Sequence, residues 1–238
     1  MIALQDLKKL LAQAESDSDY REILWRLRWS SGFHCPRCDH DRAYHLPRRE
    51  LYECKLCGLQ SSATSGTFLH GVRNLRGWVE AILSLFEIDG RTAVSMAIRL
   101  DRGYATAWFM MHKIRLVLYE ALVRGEGDLE ISCDLLKTAL FKASSETMYV
   151  SPEETPSDLR SHEVAQLVPE LVAFLVGIYK GVSRKYAQLY ITEFSFRRQT
   201  CRFDPLNLLS CFVRGRALSR AKLRAYSAPY IMRLSGST

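Results

Sequence analysis

Two Cys-x-x-Cys motifs constrain the fold of this chain more than any other feature. Cys35 and Cys38 form the first, and Cys54 and Cys57 form the second after a spacer of fifteen residues. Each motif offers two thiolates from one tight turn, and four thiolates satisfy the tetrahedral coordination of Zn²⁺. Because a catalytic zinc normally keeps one position open for water, four cysteines predict a closed, structural zinc site. Zn²⁺ is the one cofactor that we expect from the sequence.

The residues around the motifs support this interpretation. Gly58 follows the second pair, where a positive φ angle relaxes the turn, and Asp39 holds the matching place after the first pair. Three nearby histidines are interpreted as surface or packing residues: His34, His40 and His45. The three remaining cysteines are interpreted as buried small hydrophobic residues: Cys133, Cys201 and Cys211. A closed zinc ribbon serves DNA binding, RNA binding or protein docking, and the cysteines alone do not choose among them.

Charge and hydropathy narrow the choice of partner. The formal net charge is +7; basic residues dominate between positions 184 and 233, and acidic residues between positions 120 and 170. This asymmetry predicts a surface that meets an anionic partner, although a solvated basic face explains it equally well. The N-terminus lacks the apolar core of a signal peptide. Pro169 interrupts the apolar window that starts at Val164, which favours a buried helix over a membrane span. We therefore expect a cytoplasmic, nucleoid-associated protein that does not bind membranes.

The spacing of apolar residues predicts a mostly helical chain. Thr92 is expected to cap a short helix, and Asp17 or Ser18 the helix that starts near residue 19. A strand hairpin is expected within residues 128–150, and a loose tail after Tyr226. Short strands are expected at two places: RAYHL and ELYEC. The remaining helices are expected over these ranges: 3–14, 76–86, 104–122, 161–177, 183–196 and 205–217.

The segment RTAVSMAIRLDRGYATAWFMMHKIR places a short helix, a turn and a longer helix in succession. This is the layout of a helix-turn-helix, and an ordinary helical hairpin shares it. In a helix-turn-helix, Tyr104 and Thr106 would open the recognition helix, with Lys113 and Arg115 further along it. Three apolar residues of this helix are interpreted as core rather than base-stacking residues: Trp108, Phe109 and Met110.

Several segments, in order along the chain, resemble the ISXO-like group of bacterial insertion-sequence transposases. They are YREILWRLRWSSGFHCPRC and YECKLCGLQSSATSGTFLH around the cysteines, then LRGWVEAI, then RTAVSMAIRLDRGYATAWFMMHKIR, and finally GIYKGVSRKYAQLYITEFSFRRQTCRF. Ala107 and Trp108 fall on the family's Ala-Trp pair. The resemblance covers roughly residues 18–118 and 166–217. It implies an RNase H-like domain that transfers DNA strands with acidic residues and two divalent metal ions.

The acidic residues of that chemistry are replaced here. Ser132 stands where the family has its first Asp, and Asp134, on the same strand face two residues on, is the alternative. The third acidic position falls near Gln166, and the family's lysine falls on Val172. The central segment is too short for the strand that carries the second Asp, and its acidic residues are interpreted as solvated: Glu153, Glu154 and Asp158. We therefore expect no catalytic residues and no Mg²⁺.

The sequence predicts an α+β fold, mostly helical. We expect an N-terminal zinc ribbon, a helix-turn-helix-like unit, and a reduced RNase H-like remnant with C-terminal helices. The expected domains are N-terminal helices with the ribbon, the helix-turn-helix-like unit, the remnant and a tail, over residues 1–72, 73–125, 126–226 and 227–238.

The leading hypothesis is a transposase-derived zinc-ribbon protein that binds double-stranded DNA without strand transfer, as a transcriptional regulator. The alternatives are a divergent active transposase, a decayed copy, and a zinc-ribbon adaptor that binds protein. A homodimer is expected because DNA sites often come as paired half-sites. The residues expected to contact DNA are these: Arg42, Arg48, Arg49, Tyr104, Thr106, Lys113, Arg115, Arg197 and Arg198.

Overall fold

The chain divides into two units. The computed structural model describes residues 4–87, 92–122, 128–141, 162–200 and 204–235. Unit 1 contains Met1–Leu83 and Phe203–Leu218, and unit 2 contains Ser84–Arg202 and Ser219–Thr238. Each unit therefore combines two stretches that are distant in the sequence. The four domain boundaries expected from the sequence stay a prediction.

The described part of the chain is mostly helical with short strands, which confirms the predicted α+β class. The α-helices are α1 (Leu4–Gln13), α2 (Asp17–Arg28), α3 (Leu75–Leu83), α4 (Ala93–Arg99), α5 (Tyr104–Leu122), α6 (His162–Tyr179), α7 (Ala187–Arg198), α8 (Pro205–Arg214) and α9 (Arg220–Ala225). The strands are β1 (Ala43–Leu46), β2 (Leu51–Cys54), β3 (Gln60–Ser61), β4 (Asp128–Ser132), β5 (Leu140–Phe141), β6 (Val182–Ser183) and β7 (Ile231–Ser235). Short 3₁₀ segments lie at Pro47–Arg49, Ser84–Phe86, Cys133–Ala139 and Arg184–Tyr186.

In unit 1, helix α2 starts earlier than the sequence predicted. Its N-cap is Ser16, whose hydroxyl accepts a hydrogen bond from the amide of Asp19 at 3.2 Å. The Asp19 carboxylate accepts one in return from the amide of Ser16 at 2.8 Å. This reciprocal capping box satisfies two amides that the helix leaves unpaired, so the prediction of Asp17 or Ser18 as the cap is wrong.

Helices and the ribbon make up the rest of unit 1. Helix α2 buries one face and packs against α8; its buried residues are Tyr20, Ile23, Leu24 and Leu27. The ring of Phe68 meets Phe212 and Trp78 edge-on, with centroids 4.9 and 5.4 Å apart. Strands β1, β2 and β3 form an antiparallel sheet in which Ala43 pairs with Cys54. The predicted strands of the cysteine region are confirmed.

In unit 2, strand β4 pairs antiparallel with β7, so that Asp128 lies opposite Ser235. One prediction is wrong here: the segment after Tyr226 is not a loose tail, because it contains β7. The second strand of the hairpin expected within residues 128–150 lies outside the described residues, so that hairpin stays a prediction. Strands β5 and β6 form a short parallel pair.

Helices α6 and α7 pack against these strands, and α5 packs against α7. Helix α6 turns Leu167, Leu171 and Leu175 inward at spacings of four residues, as an amphipathic helix does. Helix α5 starts at Tyr104 as predicted, and the side chain of Thr92 caps α4 as predicted. None of the described helices combines the length and apolar character needed to cross a membrane.

Candidate functional site

Each Cys-x-x-Cys motif folds into a tight turn in unit 1, and each turn is closed by an equivalent backbone hydrogen bond. The amide of Asp39 donates to the carbonyl oxygen of Cys35 at 2.9 Å, and the amide of Gly58 donates to that of Cys54 at 3.0 Å. Asp39 and Gly58 have positive φ angles of 59° and 67°, a conformation that glycine and aspartate adopt more readily than most residues. The backbone predicted at these positions is confirmed.

The two turns bring four sulfur atoms together. All four lie within 4.8 Å of one another, and the Cys35–Cys57 and Cys38–Cys54 sulfurs are each 3.6 Å apart. Tetrahedral zinc with Zn–S bonds of about 2.3 Å has sulfur–sulfur edges of about 3.8 Å, whereas a disulfide bond is only about 2.05 Å long. The four cysteines are therefore positioned to hold Zn²⁺, as predicted, in a closed site without a position for a reacting water.

The surroundings of the sulfurs affect their ionisation. Burial opposes ionisation of Cys35, but the backbone amides of Arg37 and Cys38 outweigh it and lower the pKa of the thiol to about 6. At Cys38 the amide of His40 favours the thiolate, whereas burial and the three neighbouring sulfurs raise the pKa to about 12. A divalent cation stabilises all the thiolates at once, so zinc binding is expected to release protons.

Aromatic residues of α2 and of the segment that follows it attach the ribbon to the helix. Trp29 and Phe33 are buried with two of the cysteines, and the indole N–H of Trp29 donates to the carbonyl oxygen of His34 at 2.9 Å. Trp25 stacks on Tyr52 of β2 with centroids 5.2 Å apart. The ribbon therefore has its own small apolar cluster beside the sulfurs.

The other histidines and cysteines considered in the sequence analysis are not among the four zinc ligands. The three histidines close in sequence are not members of the group of ligand atoms, and His45 stacks on Tyr52 at 4.8 Å. Cys133 is buried as predicted. Cys211 is exposed, so its prediction as a buried residue is wrong: it lies on the outer face of α8. Cys201 lies outside the described residues.

Three arginines of the ribbon are exposed. Arg42 precedes β1, and Arg48 and Arg49 lie in the 3₁₀ turn that joins β1 to β2. Within the described residues, none of these three has a carboxylate partner. The nearby Arg21 of α2, by contrast, pairs with Glu50. The tip of the hairpin therefore presents adjacent positive charges that are not neutralised within the ribbon.

The four residues of helix α5 that were predicted to contact DNA fall into an exposed pair and a buried pair. Tyr104 and Thr106 are exposed on its first turn. Lys113 and Arg115 are buried, with 6 % and 1 % of their surface exposed, and burial lowers the pKa of Lys113 to about 8. This burial argues against the prediction that Lys113 and Arg115 contact DNA, because a buried side chain does not reach a phosphate group.

Arg115 belongs to a buried ionic network that the sequence did not reveal. Its Nε lies 2.5 Å from one carboxylate oxygen of Glu193. The other oxygen lies 2.7 Å from Nη2 of Arg197 and accepts a hydrogen bond from the Tyr179 hydroxyl at 2.9 Å. Burial opposes ionisation of Glu193, but the two guanidinium groups outweigh it and hold the pKa of the carboxyl below its usual value. The Glu193–Arg197 spacing of four residues was the only local signal.

The two C-terminal arginines predicted to contact DNA have carboxylate partners. Arg197 is half-buried beside Glu193, and Arg198 is exposed but pairs with Glu170. Both arginines therefore already have a carboxylate partner within unit 2, which makes them weaker candidates for phosphate contacts than those of the ribbon.

The sequence resemblance predicts that four positions correspond to functional residues of the transposases. Ser132 is buried at the end of β4, and Asp134 accepts a hydrogen bond from the hydroxyl of Tyr230. Gln166 is exposed on α6, whereas Val172 packs against the core of unit 2. Three acidic residues of the central segment lie outside the described residues: Glu153, Glu154 and Asp158.

The site defines a class of protein: a four-cysteine zinc ribbon attached to a helical unit. Residues 15–60 match the family model of the transposase zinc-ribbon domain of IS1595. This match supports a relationship to insertion-sequence transposases, and such a domain points to nucleic-acid binding. No curated protein and no solved structure was found to match the chain.

Proposed function

We propose that this protein is a transposase-derived DNA-binding protein of the ISXO-like type that has lost strand transfer and regulates transcription. The observation that carries the proposal is the coincidence of two findings on one segment. Residues 15–60 match the transposase zinc-ribbon domain, and the same segment brings the four cysteines together for zinc. A structural metal holds a recognition module in shape, and the module then meets double-stranded DNA.

The proposed DNA contacts begin at the ribbon. Arg48 and Arg49 are exposed at the tip of the β1–β2 hairpin, with Arg42 at its base. Phosphate groups attract such arginines without regard to sequence, and each contact releases a counterion, so that affinity falls as salt is added. The ribbon thereby supplies orientation and affinity.

We extend the proposal to a helix-turn-helix formed by α4 and α5. The turn between them contains Asp101, whose φ angle is 49°, and the first turn of α5 exposes Tyr104 and Thr106. A dimer would present two such helices to paired half-sites. The C-terminal part of the chain is proposed to be a reduced remnant of the RNase H-like domain.

Loss of strand transfer is supported by the residues at the aligned positions. Two-metal catalysis needs carboxylates that converge on both ions. Ser132 and Gln166 offer none, and the Asp134 carboxylate is engaged by Tyr230. The carboxylate of Glu193 is buried between two arginines, and its charge is compensated there. These observations favour binding over cleavage.

A salt titration of duplex binding tests the proposal. The zinc-loaded full chain is expected to bind duplex DNA at low salt, with log K falling linearly against log salt. Arg48→Ala and Arg49→Ala should each reduce that slope by about 0.9. Arg26→Ala is the matched control, because Arg26 already pairs with Glu22 at 2.6 Å and its loss should leave the slope unchanged. Absence of duplex binding at low salt would favour the protein-docking adaptor.

Two further measurements address catalysis and regulation. In a strand-transfer assay with magnesium or manganese, we expect neither cleavage nor joining of DNA ends. Cleavage that Asp134→Ala abolishes would establish the alternative of a divergent active transposase. Genome-wide mapping of bound sites is expected to show enrichment at promoters, and a random distribution would contradict the regulatory role.

A further inference from the structure

A groove of about 400 Å³ lies within unit 2, between α5 and α9. Helix α5 contributes aromatic rings, and α9 contributes two guanidinium groups. Its lining residues are Tyr104, Ala105, Thr106, Trp108, Phe109, Arg220, Leu223 and Arg224. Small-ligand sites commonly have volumes of about 300–1,000 Å³. The groove therefore combines aromatic rings with positive charge.

The aromatic wall is held in place before any ligand arrives. The ring of Trp108 stacks on His112 with centroids 4.0 Å apart and an interplanar angle of 27°. His112 is fixed in turn: Nδ1 donates to the carbonyl oxygen of Trp108 at 2.9 Å, and Nε2 accepts from the hydroxyl of Tyr190 at 3.3 Å. Burial, reinforced by Arg115, lowers the pKa of His112 to about 3, so the ring beneath Trp108 is neutral. A preorganised surface loses little freedom on binding.

The basic wall carries charge that the described part of unit 2 does not neutralise. Arg220 lies over the ring of Phe109, with its guanidinium carbon 5.0 Å from the centroid. Neither Arg220 nor Arg224 has a carboxylate partner among the described residues. Lys222, which lies between them in sequence, does have one, because it pairs with Glu120 at 2.9 Å. Helix α9 therefore presents its two uncompensated charges to the groove and a compensated one elsewhere.

The combination selects among anionic partners. A duplex offers phosphates, but the faces of its bases are hidden in the stack, so it cannot use an aromatic wall. An acidic peptide offers charge without a planar ring. An unpaired strand offers both a base face and a phosphate at each nucleotide, and proteins bind such strands by stacking bases on aromatic side chains within a basic groove.

We propose that this groove binds an unpaired nucleotide of a DNA strand, with the base against Tyr104 and Trp108 and the phosphate at Arg220 and Arg224. The inference rests on the proposed DNA-binding function and names the form of DNA that this site takes. Tyr104 is the accessible member of the aromatic wall, with 57 % of its surface exposed, so a base can reach it without rearrangement of the core.

Fluorescence anisotropy with labelled oligothymidylate, which forms no duplex, tests the inference on the zinc-loaded full chain. Tyr104→Ala should weaken binding about tenfold through the loss of base stacking, whereas Tyr104→Phe, which keeps the ring, should retain most of the affinity. Arg220→Ala and Arg224→Ala should each reduce the slope of log K against log salt by about 0.7. Lys222→Ala removes the same charge from the same helix and should leave the slope unchanged.

The same variants measured on a duplex of equal length separate this inference from the proposed function. A larger loss on oligothymidylate than on the duplex supports the groove, because Tyr104 also lies on the first turn of the proposed duplex-reading helix. Equal losses on both forms overturn it and leave α5 as a duplex-reading helix. Equal losses for Lys222→Ala and Arg224→Ala overturn it as well, since they indicate a charge effect without a site. If the wild type binds oligothymidylate through Tyr104 but no duplex, the proposed function fails and the groove stands. If the groove prefers polyglutamate, the inference fails.

Discussion

In the zinc ribbon the buried apolar cluster consists of Trp29, Phe33, Cys35 and Cys54, with a few partly buried neighbours. In unit 2 the corresponding cluster contains fourteen buried residues among those described, from strands, helices and the 3₁₀ segment after β4. The difference in cluster size indicates what stabilises each region. A cluster as small as that of the ribbon buries too little apolar surface to fold alone and needs a metal. The cluster of unit 2 is more than three times larger, and the same unit also buries the ion pair of Arg115 and Glu193.

Loss of a zinc ligand should produce the largest effect and should be confined to the ribbon. In small zinc domains the metal contributes about 10–16 kcal/mol of apparent binding free energy. Cys54→Ser should therefore abolish zinc binding, measured as metal per chain, and make residues 30–60 sensitive to protease. The helical signal of unit 2 should remain.

Cys211→Ser is the matched control for that change. Cys211 lies in the same unit but is exposed and is not a member of the metal cluster, so the variant should keep its zinc. A Cys54→Ser protein that retained full zinc and protease resistance would contradict the dependence of the ribbon on metal.

Within unit 2, the largest single-residue effect is expected at Glu193. Glu193→Gln leaves the buried guanidinium of Arg115 without its counter-charge, and breaking one side of a buried ion pair costs about 3–5 kcal/mol. The free energy of unfolding, measured with urea on the full chain, should fall by that amount. Glu120→Gln breaks the exposed pair with Lys222 and should cost about 0–1 kcal/mol. Similar losses in the two variants would contradict the distinction between buried and exposed pairs.

The two regions also differ in how far the sequence predicts them. For the ribbon, the sequence predicted the four zinc ligands and the positive φ angles at Asp39 and Gly58. These features all lie within one short segment, and tetrahedral zinc coordination imposes a strict geometry on it. The start of α5 and the Thr92 cap were predicted for the same reason. Helix periodicity and caps are local signals.

The sequence did not reveal the long-range partners in unit 2. Strand β4 pairs with β7, about a hundred residues further on, and no local pattern announces that partner. Arg115 looked like a surface residue of a recognition helix, whereas Glu193, 78 residues away, draws it into the core. A positive charge in a helix does not by itself indicate a surface. Its role depends on whether the fold supplies a carboxylate.

Acid should expose a second feature of the core of unit 2. The pKa of His112 is lowered to about 3 by burial and by Arg115, whereas the pKa of an unfolded histidine is about 6.5. Between these values the unfolded state binds more protons, so stability rises with pH. The contribution of the neutral ring is complete above pH 6.5 and is lost as the pH falls toward 3. Each pH unit in that window costs up to about 1.4 kcal/mol.

His112→Gln should therefore flatten the dependence of the unfolding free energy on pH between about 6 and 4. The pH slope of the variant is compared with that of the wild type, because protonation of the zinc ligands affects both proteins equally. His70→Gln removes an exposed histidine of unit 1 and should leave the slope as in the wild type. If the slopes of His112→Gln and the wild type coincide, the ring is not a determinant of acid stability.

The smallest expected effect on stability is at the N-terminus of α2, the helix to which the ribbon is attached. Ser16→Ala removes the hydroxyl that caps α2 and one half of its capping box, at a cost of about 1 kcal/mol. Ser18→Ala removes the hydroxyl that the sequence had suggested as a cap; this hydroxyl instead donates to exposed Glu50 at 2.9 Å. Its loss should cost less than about 0.5 kcal/mol.

Because α2 carries the aromatic residues that attach the ribbon, the Ser16→Ala loss should appear in zinc-loaded protein as a lower unfolding midpoint of unit 1 without loss of metal. If Ser18→Ala costs as much as Ser16→Ala, the helix starts where the sequence had placed it, and the attachment of the ribbon must be described from that point.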